Sequence, residues 1–101
     1  MIRHTVLFRW TPEATPEQKQ LVETSIARLP SLVPTLREFV FGSDLGVNEG
    51  NFDFAVSASF DDLDGYLTYR DNPDHRAMVR DHILPITAQR AAVQFSYGGE
   101  R

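Results

Sequence analysis

The spacing of apolar residues changes period repeatedly along this chain, and the order of those changes leaves few folds open to it. From Ile2 to Trp10 every second residue belongs to one face, Ile2, His4, Val6, Phe8 and Trp10, with Arg3, Thr5, Leu7 and Arg9 on the other, which is the pattern of a strand. Thr15, Pro16 and Gln18 then mark a helix start: Thr15 caps it, Pro16 fits its first turn and Gln18 closes a capping box. Leu21, Val22, Ser25, Ile26 and Leu29 recur three and four residues apart, so this helix lays one stripe on a sheet until Pro30 stops it, and Leu32 and Val33 add a short turn. A second strand is expected from Leu36 to Asp44, with Phe39, Phe41 and Ser43 opposite Leu36, Glu38, Val40 and Gly42. The run Leu45 to Asn51, rich in glycine and asparagine, is a loop, after which Phe52, Phe54, Val56, Ala58 and Phe60 alternate as a third strand. Asp61 or Asp62 caps a helix carrying Leu63, Tyr66, Leu67 and Tyr69. The next helix turns Met78, Val79, His82 and Ile83 inward as far as Pro85, and Ala91 to Tyr97 alternates as the last strand.

Strand, helix, strand, strand, helix, strand is the order of a ferredoxin-like fold, an α+β protomer of βαββαβ type in which a four-stranded antiparallel sheet carries its helices on one face. One domain is expected over residues 1–97, with 98–101 as a flexible tail. The uncovered face of the sheet is assigned Thr5, Leu7, Phe39, Phe41, Ala55, Ser57 and Ala92, residues too apolar or too small to remain wet. Two such faces packed together in a symmetric homodimer would bury them, each large apolar side chain contributing roughly 1.5–3 kcal/mol.

Composition narrows the function classes. A net charge of −4 and a pI near 5.2 exclude a generally basic, nucleic-acid-binding surface. The absence of cysteine removes disulfides, thiolate nucleophiles and cysteine zinc sites, and fits a cytoplasmic location. No signal peptide is expected, and no apolar run approaches the ~20 residues of a membrane span.

The chemistry gathers between Tyr69 and His82. Pro73 disfavours helical geometry at Asn72 and suits the first turn of a new helix, so one helix ends near Asp71 and another begins at once. His75 then lies in a first turn, where the helix dipole favours the neutral, proton-accepting imidazole. The other reading of His75 is a surface or capping residue. His75 and His82, seven residues apart, stand about 10 Å apart along a helix, too far to chelate one ion, and no zinc spacing exists. Asp61, Asp62 and Asp64 read as a solvated helix start rather than a cation site. No metal and no cofactor is expected.

Ile2-Arg3-His4-Thr5-Val6-Leu7-Phe8, Gly42-Ser43-Asp44-Leu45-Gly46, Phe52-Asp53-Phe54-Ala55-Val56 and Tyr69-Arg70-Asp71-Asn72-Pro73-Asp74-His75 together resemble the stress-responsive dimeric α/β-barrel (Dabb) family over residues 2–97. The resemblance implies a ferredoxin-like protomer whose sheet closes a barrel across a homodimer. In a plant branch of that family, the polyketide cyclases exemplified by olivetolic acid cyclase, it further implies that His75 serves as base, that Tyr69 binds and polarises the substrate, and that His4 is a further pocket histidine. A third pocket histidine of that branch falls at Phe54 here, which departs from its pattern.

These residues are expected to converge on a cavity lined by Val6, Phe8, Phe54, Val56, Leu67, Met78 and Val79, largely apolar with few polar groups, as small-molecule sites are. The leading expectation is a stress-responsive homodimer that binds a small, partly apolar molecule there. An enzyme of polyketide-cyclase or aldol type, with His75 as base and Tyr69 on the enolate oxygen, is the alternative. A non-catalytic stress scaffold and a subunit docking another protein stand beside it.

Overall fold

The computed structural model of the protein describes residues 1–98, so residues 99–101 of the expected tail lie outside the described residues. Its strands are β1 (Ile2–Trp10), β2 (Phe39–Ser43), β3 (Phe54–Phe60) and β4 (Thr87–Ser96). Its helices are α1 (Pro16–Ile26), α2 (Leu29–Leu32), α3 (Leu63–Asp71) and α4 (Pro73–Met78). A π-helical turn, Val79–Ile83, and a 3-10 turn, Leu84–Ile86, lead from α4 into β4. The sheet runs in the order β2-β3-β1-β4 with every pair antiparallel, which is the ferredoxin-like arrangement.

The alternation in β1 and β3 sets the helix-facing side. Val6 pairs with Val56 and Phe8 with Phe54 on the face that α1, α2 and α3 cover, and these four residues are buried. From the helices come Val22, Ile26 and Leu29, almost wholly enclosed with Phe60 and Val33. Thr15 caps α1 by accepting from the Gln18 N–H at 3.1 Å, while the Gln18 side chain accepts from the Thr15 N–H at 2.9 Å. Asp62 caps α3 in the same manner through the Gly65 N–H.

Three details differ from the sequence expectation. Phe39 and Phe41 face the helices, because β2 begins only at Phe39; its register sets Phe39 against Ala58 and Phe41 against Val56. Leu36 also packs on the core although it stands an odd number of residues from Phe39, since the chain from Leu36 to Glu38 is not a regular strand and alternation does not carry through it. Ala92 likewise lies opposite Val6 and therefore on the helix-facing side. The second difference is at Pro30, which sits in the first turn of α2 instead of ending α1, and Leu21 is half exposed. The third is that β4 starts four residues before Ala91, at Thr87.

The outer side of the sheet therefore carries Thr5, Leu7, Val40, Ala55, Ser57, Val93 and Phe95. Val40, Val93 and Phe95 are exposed at 61%, 54% and 46%. No helix among the described residues is long and apolar enough to cross a membrane.

Candidate functional site

Asn72 builds the break on which the site depends. Its extended backbone precedes Pro73, its side chain accepts from the His75 N–H at 3.0 Å, and its amide donates to the Leu32 carbonyl at 3.5 Å. The start of α4 is thus tied to both its own first turn and α2. His75 is held so that its ring lies 4.2 Å, centroid to centroid, from that of Tyr69 on the preceding helix. Tyr69 is also 5.9 Å from the His4 ring, and Tyr66 is 5.2 Å from it.

These rings form one wall of a cavity of about 140 Å³ between sheet and helices. Of the residues the sequence suggested, His4, Val6, Phe8, Val56, Tyr69, His75, Met78 and Val79 line it. Phe54 does not; it packs among Phe8, Trp10 and Phe41 further along the sheet. Leu67 also lies off the cavity, since α3 turns Tyr66, Tyr69 and Arg70 toward it. Residues the sequence did not suggest for it include Phe39, Tyr66, Arg70 and Arg90.

The hydrogen bonds decide which nitrogen of each histidine is available. His75 Nδ1 lies 3.3 Å from the Arg70 carbonyl oxygen, which only accepts, so Nδ1 carries the proton and Nε2 keeps its lone pair in the neutral ring. At His4 the polarity is opposite: the Gln94 amide nitrogen donates to Nδ1 at 2.9 Å, so the proton sits on Nε2. Among the described residues nothing hydrogen-bonds the Tyr69 hydroxyl, yet no buried polar side-chain atom is orphaned, so this oxygen opens onto the cavity. Of the groups the sequence suggested, His75 Nε2 offers an acceptor, and Tyr69 O–H and His4 Nε2–H offer donors.

Electrostatics keeps these groups in those states. Burial lowers the His75 pKa, outweighing the bond to the Arg70 carbonyl, with Arg76 as a further positive neighbour. Burial also raises the Tyr69 pKa, with Tyr66 adding and Arg90 opposing, so the phenol stays protonated. His4 is lowered from 6.5 to about 4 by burial, then by Arg90 and His75.

The His4 shift has a consequence for stability. The unfolded chain takes up a proton on this imidazole near its usual pKa, whereas the folded chain resists until about 4, so acid favours unfolding. The folded state is unaffected by His4 above the usual value, loses up to about 3 kcal/mol as the pH falls through that window, and loses no more below it. Denaturant unfolding at pH 7 and pH 4.5 is expected to show a smaller acid loss for His4→Gln than for the wild type; equal losses would contradict the assignment.

Among the described residues no cluster of three or more histidine, cysteine or carboxylate groups is arranged to hold a metal ion. Asp61 is engaged by Arg37 at 2.9 Å and Asp62 is used as the α3 cap.

Residues 2–97 match the stress-responsive A/B barrel domain, Dabb. The chain belongs to the Dabb family. Among curated proteins no match to it is found. A dimeric ferredoxin-like protein of unknown function from Thermobifida fusca is 48% identical, with a TM-score of 0.88 over 95% of this chain and 90% of that one. A Dabb protein from Mesorhizobium loti superposes with a TM-score of 0.80 at 24% identity, covering 97% of each chain. A hydroxynitrile lyase from Passiflora edulis shares the fold at a TM-score of 0.85 and 17% identity, covering 99% of this chain and 95% of its own.

Proposed function

We propose that this Dabb protein is a homodimer that takes a small, partly apolar carbonyl compound into the cavity and moves one of its protons with His75. The observation that carries the reading is the Arg70 carbonyl on His75 Nδ1, which leaves a basic Nε2 beside a phenol with no internal partner. In the proposed step Nε2 takes a proton from the carbon next to the carbonyl. The C–H electron pair becomes the carbon–carbon double bond of an enolate, and the carbonyl electrons move onto oxygen. Tyr69 O–H and His4 Nε2–H hydrogen-bond that oxygen as its charge grows. The imidazolium then returns its proton to the product, after simple exchange or an intramolecular aldol closure.

The same fold carries an enzyme in the Passiflora edulis hydroxynitrile lyase. The homodimer is supported by the apolar outer sheet face and by the dimeric Thermobifida fusca relative. Such a face, joined to its copy, leaves the helix-side cavity of each protomer separate from the interface.

The test uses phenylacetone, a one-ring ketone with acidic α-hydrogens, incubated in deuterated buffer and followed by proton NMR. The wild-type protein is expected to speed deuterium uptake at the α-carbons over buffer alone. Uptake at the buffer rate would refute a base at this site.

A further inference from the structure

The charged side chains around the cavity mouth share one sign, although the chain as a whole carries −4. Arg70 and Arg90 line the cavity, and an adjoining groove that shares Arg70 and His75 adds Arg76 and Arg80. No aspartate or glutamate among the described residues lines either one. Two of the four arginines already hold a carboxylate at the surface, Arg70 with Asp71 at 2.9 Å and Arg80 with Asp81 at 2.9 Å. Arg76 and Arg90 have no ion-pair partner among the described residues.

Arg90 is set apart further by its place in the sheet. It stands opposite Phe8 on the helix-facing side of β4, where its neighbours across the ladder are apolar core. Its charge is felt at both His4 and Tyr69. A guanidinium offers two parallel N–H donors that match the two oxygens of a carboxylate. Beside it the cavity, at about 140 Å³, is close in size to an apolar cavity known to accept benzene.

We infer that the ligand of this site is a small carboxylate, its apolar body of about one six-membered ring in the cavity and its carboxylate on Arg90 at the mouth. The inference rests on the cavity reading above and adds the charge of the ligand to it. Arg76 strengthens the positive field without touching the cavity. Cationic molecules of the same size are disfavoured by the same arrangement.

Titration calorimetry with sodium benzoate and with benzamide, its neutral counterpart, separates the charge from the ring. The wild type is expected to bind benzoate about tenfold or more tightly than benzamide at low salt, with the preference shrinking as salt is added. Arg90→Gln, checked for native circular dichroism, is expected to lose the preference, benzoate falling to the affinity of benzamide. Equal binding of the two compounds by the wild type, or a preference that survives in Arg90→Gln, overturns the carboxylate assignment while the cavity reading stands. Failure of the wild type to bind either compound overturns both.

Discussion

His75→Ala is expected to slow α-deuteration of phenylacetone by about 10²–10⁴-fold, the usual worth of a positioned general base. The methyl group of alanine cannot accept a proton, and no other described side chain on the wall offers an unshared lone pair in the same place: His4 Nδ1 is occupied by Gln94 and Tyr69 is kept protonated by burial. Tyr69→Phe keeps the ring and loses the donor, so the loss should be about 10²–10³-fold and fall on the rate more than on binding. The wild-type pH profile adds a sign. A base works when neutral, and burial holds the His75 pKa below its usual value, so the rate should stay level at pH 7 and fall only as the pH drops below the ordinary histidine range. Variants that fold and exchange at the wild-type rate would remove both residues from the chemistry.

Leu7→Asp is expected to convert the proposed homodimer into monomers. Leu7 stands in the middle of the outer sheet face on a central strand, flanked across the ladder by Ala55 and Ala91, so its side chain projects past its neighbours. A two-fold interface brings two copies of any substitution together, and an unpaired buried carboxylate costs several kcal/mol on each side. Light scattering on a sizing column should therefore give twice 11.5 kDa for the wild type and 11.5 kDa for Leu7→Asp. The variant protomer should keep its fold, because Leu7 is 36% exposed and faces away from the core. A dimer unaltered by this charge would place the interface elsewhere.

Much of this was legible where local chemistry and long-range packing agree. β1 alternates without interruption over nine residues, and the Thr15–Gln18 box and Pro73 each fix a helix boundary by steric and hydrogen-bonding rules that need no tertiary partner. The pairing of Tyr69 with His75 followed from that second boundary. The face of β2 is not legible, because the chain is irregular from Leu36 to Glu38 and alternation does not carry through it, and a shift of one residue turns a whole strand over. Arg90 is hidden in the sequence for a related reason. Thr87-Ala88-Gln89-Arg90 has no apolar alternation, since an edge strand need bury little, and only its pairing with β1 shows it to be strand. For Phe54 and Leu67 the face alone does not decide the cavity lining, since position along the strand and around the helix sets them elsewhere.

In the proposed site His75 is neutral, carries its proton on Nδ1 and presents Nε2 to a bound carbonyl compound. Long-range proton–nitrogen NMR of the imidazoles at pH 7 tests it directly. The expected spectrum shows His75 as the neutral Nδ1–H tautomer, with its Nε2 resonance moving when phenylacetone is added and His4 remaining the Nε2–H tautomer. A His75 that is doubly protonated at that pH, or protonated on Nε2, or unmoved by the ketone, would contradict the account.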